Sequence, residues 1–337
     1  MTTASEHPSP AACTNPASGN ERAPMRAVPA TLEDVRYELD GPVARVIIDR
    51  PAKGNSFRFE TLKELTACIQ DAGDRSGVRA IVLSASGDRF FSTGGDVKDY
   101  HERYRHDVAA FRTYQLAIEA TLQAMLQCPR PIIARVNGDV VGGANAFHLA
   151  ADLVVASETA HFHQIGAKIG SVSGLGPAQW WPLVVGDRRA RELLLRARPL
   201  DARTALKWGA INDVVPYEGL DEMVQTYVDD LAAGFPDALR YARIAMNAGK
   251  EGLMREISQA REWLTMHFPS AESVEGFDAF IQKRPVDRTL SWHAADQGKV
   301  TVAPWGSAIR KCDACGAAGI ADDHQFCGLC GARLEDH

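Results

Sequence analysis

Apolar and polar positions along this chain fall into two periods that take turns. VRYEL (35–39) and VARVIID (43–49) are rich in β-branched residues and flank Asp40-Gly41-Pro42, which predicts a hairpin. FETLKELTACIQDA (59–72) then spaces its apolar residues along one helical face, and AIVLSA (80–85) is an unbroken apolar run suited to a strand covered on both sides. The pair recurs. A long helical stretch over about 108–127 is stopped by Cys128-Pro129-Arg130-Pro131, PIIARV supplies a second buried strand, and DLVVAS supplies a third. Alternation of this kind predicts an α/β layered domain with a mainly parallel sheet. From 187 onward the pattern is nearly all helical: RRARELLL, DARTALKWG, DEMVQTYVDDLAAG, and two more helices up to Lys283. Residues 1–30, rich in Pro, Ala, Ser and Thr without periodicity, read as disordered. The divisions that follow are a core at 31–216, a helical region at 217–284, a linker at 285–310 and a small separate unit at 311–333.

Composition narrows the function classes. The 337 residues are enough for one or two domains with a sizeable core, and 45% hydrophobic with 24% charged residues is ordinary for a soluble protein. A net charge of −6 with no basic face argues against nucleic acid as a partner. No apolar run is long enough for a membrane span, and the N-terminus lacks the apolar core of a secretory signal. Of seven cysteines, Cys13, Cys68 and Cys128 are scattered and read as free thiols, while four sit in the last 26 residues. That distribution points to a reducing compartment, the cytoplasm, and to a metal site in place of a disulfide framework.

The metal site is specified by spacing. Cys312-x₂-Cys315, eleven intervening residues and Cys327-x₂-Cys330 form a set of four thiolates, each pair followed by a glycine that lets the chain turn back. Such a set predicts tetrahedral Zn²⁺ of the closed, structural type, resembling a zinc ribbon, with His324 a spare ligand exposed to solvent. So short a unit has little core, so the metal would supply its folding energy, and protein docking, clamping of an oligomer or recruitment of a partner that carries coenzyme A all remain open as its role.

The chemistry-bearing stretch is NGDVVGGANAFHLAAD (137–152), where a double glycine opens an Ala-rich helix. Adjacent glycines at a helix start allow backbone N–H groups to approach a ligand closely. With IDRPAKGNSF (48–57), AIVLSASGDRFFSTGGDVKDY (80–100), HFHQIGAKIG (161–170), the segment 188–216 and EGFDAFIQKR (275–284), it makes an ordered series by which residues 33–284 resemble the crotonase (enoyl-CoA hydratase/isomerase) superfamily. The resemblance implies a spiral of ββα turns with a C-terminal helical trimerisation region, an acyl-CoA substrate, and a homotrimer or dimer of trimers. It also implies an oxyanion hole made by the amides of Gly95 and Gly143, fixed donors aimed at an oxygen that gains charge. Coenzyme A contacts carried over with it are Arg50, Lys53, Phe57, Asp96, Val97 and Lys283, the charged ones open to being plain surface residues.

The resemblance breaks at the acids. The two glutamates of the family's hydratases correspond to Ala146 and Gly166, neither of which transfers protons. The segment HFHQIGAKIGSVSGLG is more similar to a subgroup that includes dihydroxynaphthoyl-CoA synthase, 2-ketocyclohexanecarboxyl-CoA hydrolase and 6-oxocyclohex-1-ene-1-carbonyl-CoA hydrolase, most of all the last. The aspartate that the first two place after the GS serine is Ser173 here. This implies hydrolytic C–C cleavage that opens a cyclic β-oxoacyl-CoA. Gln164, Ser173 and Tyr100 are the expected site-lining residues, and His101 and Tyr104 join Tyr100 in closing over the acyl group. Lys98 and Asp99 are expected as surface or intersubunit charges. His161, His163 and His148 are candidate bases, of which His148 is expected to point elsewhere, and only one of His163 and Gln164 should face the site if that segment is extended. Trp180-Trp181 is either a pocket wall or packing between layers. Two alternatives stand beside ring opening: hydration or isomerisation by other residues, and a non-catalytic acyl-CoA-binding scaffold.

Overall fold

The computed structural model describes residues 28–105, 107–288, 310–320 and 324–334. Most of the segment read as disordered and most of the linker lie outside these residues. Strands β1 (Val35–Asp40), β2 (Val43–Ile48), β3 (Ala80–Ala85), β5 (Ile132–Val136), β7 (Leu153–Ser157) and β10 (Asp213–Val215) form a six-stranded sheet in the order β1-β2-β3-β5-β7-β10. A second, four-stranded sheet takes β4 (Phe90–Ser92), β6 (Asp139–Val141), β8 (His161–His163) and β9 (Leu200–Asp201) in the order β4-β6-β8-β9. The chain gives each sheet one strand in turn: β3 then β4, β5 then β6, β7 then β8. Only the β1–β2 hairpin and the β8–β9 pair are antiparallel in these two sheets.

The helices are α1 (Phe59–Asp74), α2 (Val97–Asp99, continued by a π turn over Tyr100–Tyr104), α3 (Val108–Gln127), α4 (Asn145–Ala150), α5 (Pro177–Val185), α6 (Asp187–Arg196), α7 (Ala202–Trp208), α8 (Leu220–Ala233), α9 (Pro236–Glu251), α10 (Met254–His267) and α11 (Ala271–Gln282). The hairpin, α1, β3, α3 and β7 stand where hydrophobic spacing puts them. The small sheet is what the pattern misses, because strands of two or three residues carry no period. A strand, β10, also stands within the stretch read as helical, paired to β7, and three helices follow α8 instead of two.

The unbroken apolar strands follow from burial on both faces. Ile81, Leu83, Ile132, Ala134 and Val154 enter the main core, while Val43, Val82, Ile133 and Val155 pack against Leu220, Val224 and Val228 of α8. Among the described residues no helix is long and apolar enough to cross a membrane.

Candidate active site and metal centre

Two glycine turns leave the same end of the small sheet, because β4 and β6 are parallel neighbours with Phe90 opposite Asp139 and Ser92 opposite Val140. Gly94, at φ +85°, lies backbone to backbone against the second turn: a Cβ there would sit 2.7 Å from the Val141 oxygen and 3.3 Å from the Gly143 nitrogen. Only glycine permits both that conformation and that approach. Gly143 is the second residue of the 3₁₀ turn Gly142–Ala144, so its N–H precedes the first intrahelical acceptor. Phe57 bridges to the first turn, its N–H donating to the Gly94 oxygen at 2.9 Å and its oxygen accepting from Asp96 N–H at 3.1 Å. In that parallel bridge the N–H of Gly95 points away from Phe57. Gly95 and Gly143 both line one cavity.

The cavity walls come from distant segments. Phe57 and Val97 stand on one side, Tyr100 and Phe111 on another, and Gln164, Gly166, Ser173 and Leu264 complete the ring. The Tyr100 hydroxyl occupies the place a Cβ on Gly95 would take, 1.6 Å from it, and donates to the Tyr114 hydroxyl at 3.0 Å. Tyr114 in turn donates to the Phe57 oxygen at 3.2 Å. Burial drives the Tyr100 phenol far above its ordinary range, so it is present as a neutral donor. Ser173 Oγ donates to Gln164 Oε1 at 3.2 Å, while the buried Gln164 Nε2 has no partner. Gln115 on α3, 2% exposed, also lines the cavity with its Oε1 unpaired. Gln115 lies outside the motifs of the sequence. The signal was a glutamine among Phe111, Tyr114, Ile118 and Leu122 on the buried face of α3.

Among the described residues no Asp, Glu, His, Lys or Arg lines this cavity. Neither position matched to the hydratase glutamates carries an acid, and at Gly166 there is no room for a longer side chain. Ala146 is fully buried with its methyl 3.2 Å from where a Cβ on Gly176 would stand. A Cβ on Gly166 would meet the Ser171 oxygen at 2.8 Å and Ser173 Oγ at 3.0 Å, so that turn cannot accept a longer side chain without moving.

The remaining predicted residues have other occupations. Along β8, Phe162 and Gln164 turn inward while His161 and His163 face outward to Asp139. His148 is buried between Phe162 and Trp181, its Nε2 on Asn145 at 3.2 Å, and burial together with nearby Lys250 pushes it down to about 3. None of the three histidines reaches the cavity. Trp180 and Trp181 are fully buried and line no part of it, so of the two readings packing holds. His101 pairs with Asp278 at 3.3 Å, and Tyr104 packs among the aromatic rings beside Tyr100. Lys98 is exposed, but Asp99 is not a surface charge: it is largely buried and pairs with Arg103 at 3.1 Å.

Arg50 is drawn inward, 3.3 Å from Asp34 and 3.1 Å from Asp96, and also holds the Ser56 oxygen. Asp96 caps α2 by accepting from Asp99 N–H at 3.3 Å. Both residues therefore brace the first glycine turn from behind. Lys53 and Lys283 are exposed.

At the C-terminal end, the Sγ atoms of Cys312, Cys315, Cys327 and Cys330 lie within 4.8 Å of one another. The two turns that carry them match. Gly316 N–H donates to the Cys312 oxygen and Gly331 N–H to the Cys327 oxygen, while Cys312 and Cys327 donate to Ala317 and Ala332. Gly316 and Gly331 adopt φ +76° and +73°, the left-handed conformation that reverses each chain. Amide N–H groups of Cys330 and Leu329 pull the Cys327 thiol down to about 7. Four converging sulfurs with backbone donors around them fit a thiophilic divalent ion.

A model of the family described as enoyl-CoA hydratase/isomerase matches residues 38–289, short of the cysteine unit. Among solved structures, an enoyl-CoA hydratase/isomerase from Xanthobacter autotrophicus Py2 is 27% identical with a TM-score of 0.69, over 79% of this chain and 99% of that one. Carnitinyl-CoA hydratase from Mycobacterium avium is 27% identical with a TM-score of 0.67, over 77% and 100%. An enoyl-CoA hydratase from Mycobacterium avium subsp. paratuberculosis K-10 is 25% identical with a TM-score of 0.68, over 76% and 99%. The spiral, its paired glycine turns and the match over most of the chain agree: the protein belongs to the enoyl-CoA hydratase/isomerase family.

Proposed function

We propose that the amides of Gly95 and Gly143 hold the oxygen of an acyl-CoA thioester as it gains enolate charge, and that the reaction is hydrolytic C–C cleavage of a cyclic β-oxoacyl-CoA. The observation that carries this reading is a cavity reached by both glycine turns and lined, among the described residues, by no ionisable group except a neutral tyrosine. Fixed donors act most strongly where no neighbouring charge competes for the developing oxyanion. Water adds to the ring ketone, the bond from that carbon to the α-carbon breaks, and its electrons pass into the thioester enolate. Protonation at the α-carbon gives an open chain with a new carboxylate. Gln164, Ser173 and Tyr100 supply hydrogen bonds to place the water.

Phe57 and Val97 lie along the coenzyme's path, and the exposed Lys53 and Lys283 are the cations offered to its phosphates, with Arg50 and Asp96 acting through the turn they brace. The cysteine unit holds structural Zn²⁺. On α9 to α11, Tyr241, Met246, Trp263, Met266 and Phe280 are exposed. Apolar surface of that kind supports assembly of 217–284 into a homotrimer or dimer of trimers in the cytoplasm. Exposed Phe326 and Leu329 offer the zinc unit a docking surface for a protein partner.

A second reading, hydration or isomerisation by other residues, is favoured by the similarity to carnitinyl-CoA hydratase. The full-length protein with a panel of cyclic β-oxo and α,β-unsaturated CoA thioesters separates them by mass and NMR. Gain of water with loss of the ring and a new carboxylate supports cleavage. Gain of water as a hydroxyl on an unsaturated thioester, with cyclic β-oxo substrates untouched, overturns it. Tight binding of every thioester without turnover makes the chain a scaffold.

A further inference from the structure

We infer that Asp139, His161 and His163 form a second divalent-metal site, on the outer face of the small sheet and separate from the four-cysteine unit. Strand alternation makes the face. His161 and His163 are two apart on β8, so both imidazoles emerge on one side while Phe162 and Gln164 turn inward. The parallel pairing of β6 with β8 (Val140 opposite Phe162, Val141 opposite His163) brings Asp139 alongside His161. One candidate ligand atom from each residue falls within 4.8 Å of the others, with His161 Nδ1 3.2 Å from Asp139 Oδ1 and His163 Nε2 3.6 Å from Asp139 Oδ2. Ligands on a tetrahedral ion with bonds of about 2.0–2.2 Å stand about 3.3–3.6 Å apart, so small side-chain rotations close the set.

The backbone prepares the carboxylate. Asp139 Oδ1 accepts the His161 N–H at 2.9 Å, fixing its rotamer, and Asp139 N–H is anchored on the Arg89 oxygen at 3.0 Å. A further carboxylate, Asp201, stands opposite His161 on β9 and accepts from the N–H and hydroxyl of Thr204. The side chains are between 27% and 44% exposed, open enough for an ion to enter and to retain water. Two imidazoles and one carboxylate without thiolate select a first-row divalent ion such as zinc, cobalt or nickel, and three protein ligands leave a coordination position open.

The test is metal stoichiometry on untagged full-length protein, by equilibrium dialysis against zinc followed by elemental analysis. Two zinc ions per chain are expected. His163→Ala should weaken one of them at least about tenfold while keeping the other, and Cys312→Ser/Cys315→Ser should lose the other and keep this one. Cobalt supplies an independent signature: in the cysteine variant it should give visible d–d absorption without the thiolate charge-transfer band. Because His161 and His163 face outward, the variants should melt as the parent does. His161→Gln, which retains a polar side chain, provides the same readout should alanine disturb the strand. One zinc per chain in the parent overturns the proposal, as does a second zinc that survives replacement of both histidines.

Discussion

Gly95 is defined by what stands where its side chain would be. A Cβ would lie 1.6 Å from the Tyr100 hydroxyl and 2.4 Å from its Cζ, beside an aromatic cluster that includes Tyr114. Gly95→Ala must displace the hydroxyl or the turn, and loss of one aligned oxyanion donor typically costs on the order of 10²–10³ in rate. The expected result is a fall of that size in kcat with an unchanged circular dichroism spectrum; parental turnover would remove Gly95 from the reaction. Gln115 makes a different case. A buried amide oxygen without a partner is destabilising by about 1–3 kcal/mol, and such groups persist where a ligand completes them. Gln115→Leu should raise the unfolding free energy by about 1 kcal/mol while lowering kcat/KM, as read by urea titration and steady-state kinetics. A variant that loses stability would mean that an ordered water already satisfies the group.

Elements in this protein are finished by residues far away in sequence. Helix α3 ends at Gln127, and its last carbonyls are capped by Arg243 of α9, whose guanidinium reaches the Met125 oxygen at 2.6 Å, the Leu126 oxygen at 2.9 Å and Asp152 at 2.7 Å. Helix α4 carries an internal titration. His148 is held at about 3 by burial and Lys250, whereas the unfolded chain protonates it near 6.5. Its stability contribution is complete above pH 6.5 and falls by about 1.4 kcal/mol per pH unit on acidification toward 3. His148→Gln should flatten the slope of unfolding free energy between pH 6.5 and 5 by one proton, whatever its offset; an unchanged slope shows that the imidazole already protonates in the fold. These cases mark what the sequence could yield. Long elements with a period were legible, α1, α3 and β3 among them. The glycine turns were legible through composition, and the inward face of Gln164 through strand alternation. The small sheet, the cap by Arg243 and the bracing of Arg50 by two acids were not, because each depends on contacts between segments that no local period encodes.

At the scale of the molecule, two kinds of stability coexist. The spiral buries a continuous apolar core from β1 to α11, whereas the buried cluster of the cysteine unit is, among the described residues, Cys312, Ile320, Cys327 and Leu334, two of them candidate ligands. Roughly two dozen residues with so small a core cannot offset chain entropy of about 1.5 kcal/mol per ordered residue, so the unit is expected to need the free energy of a bound metal. The spiral has no such dependence. A strong chelator added to the full-length His161→Ala/His163→Ala protein should therefore abolish the dispersed amide resonances of residues 310–320 and 324–334 and leave the thermal transition of the spiral within about one degree of the same variant without chelator. Cys312→Ser/Cys330→Ser should give the same spectrum without chelator. If chelation instead lowers the main transition by many degrees, the unit is a clamp on the assembly and its metal stabilises the whole oligomer; if the resonances persist after the metal is shown to be gone, the small core suffices and the energetic argument fails.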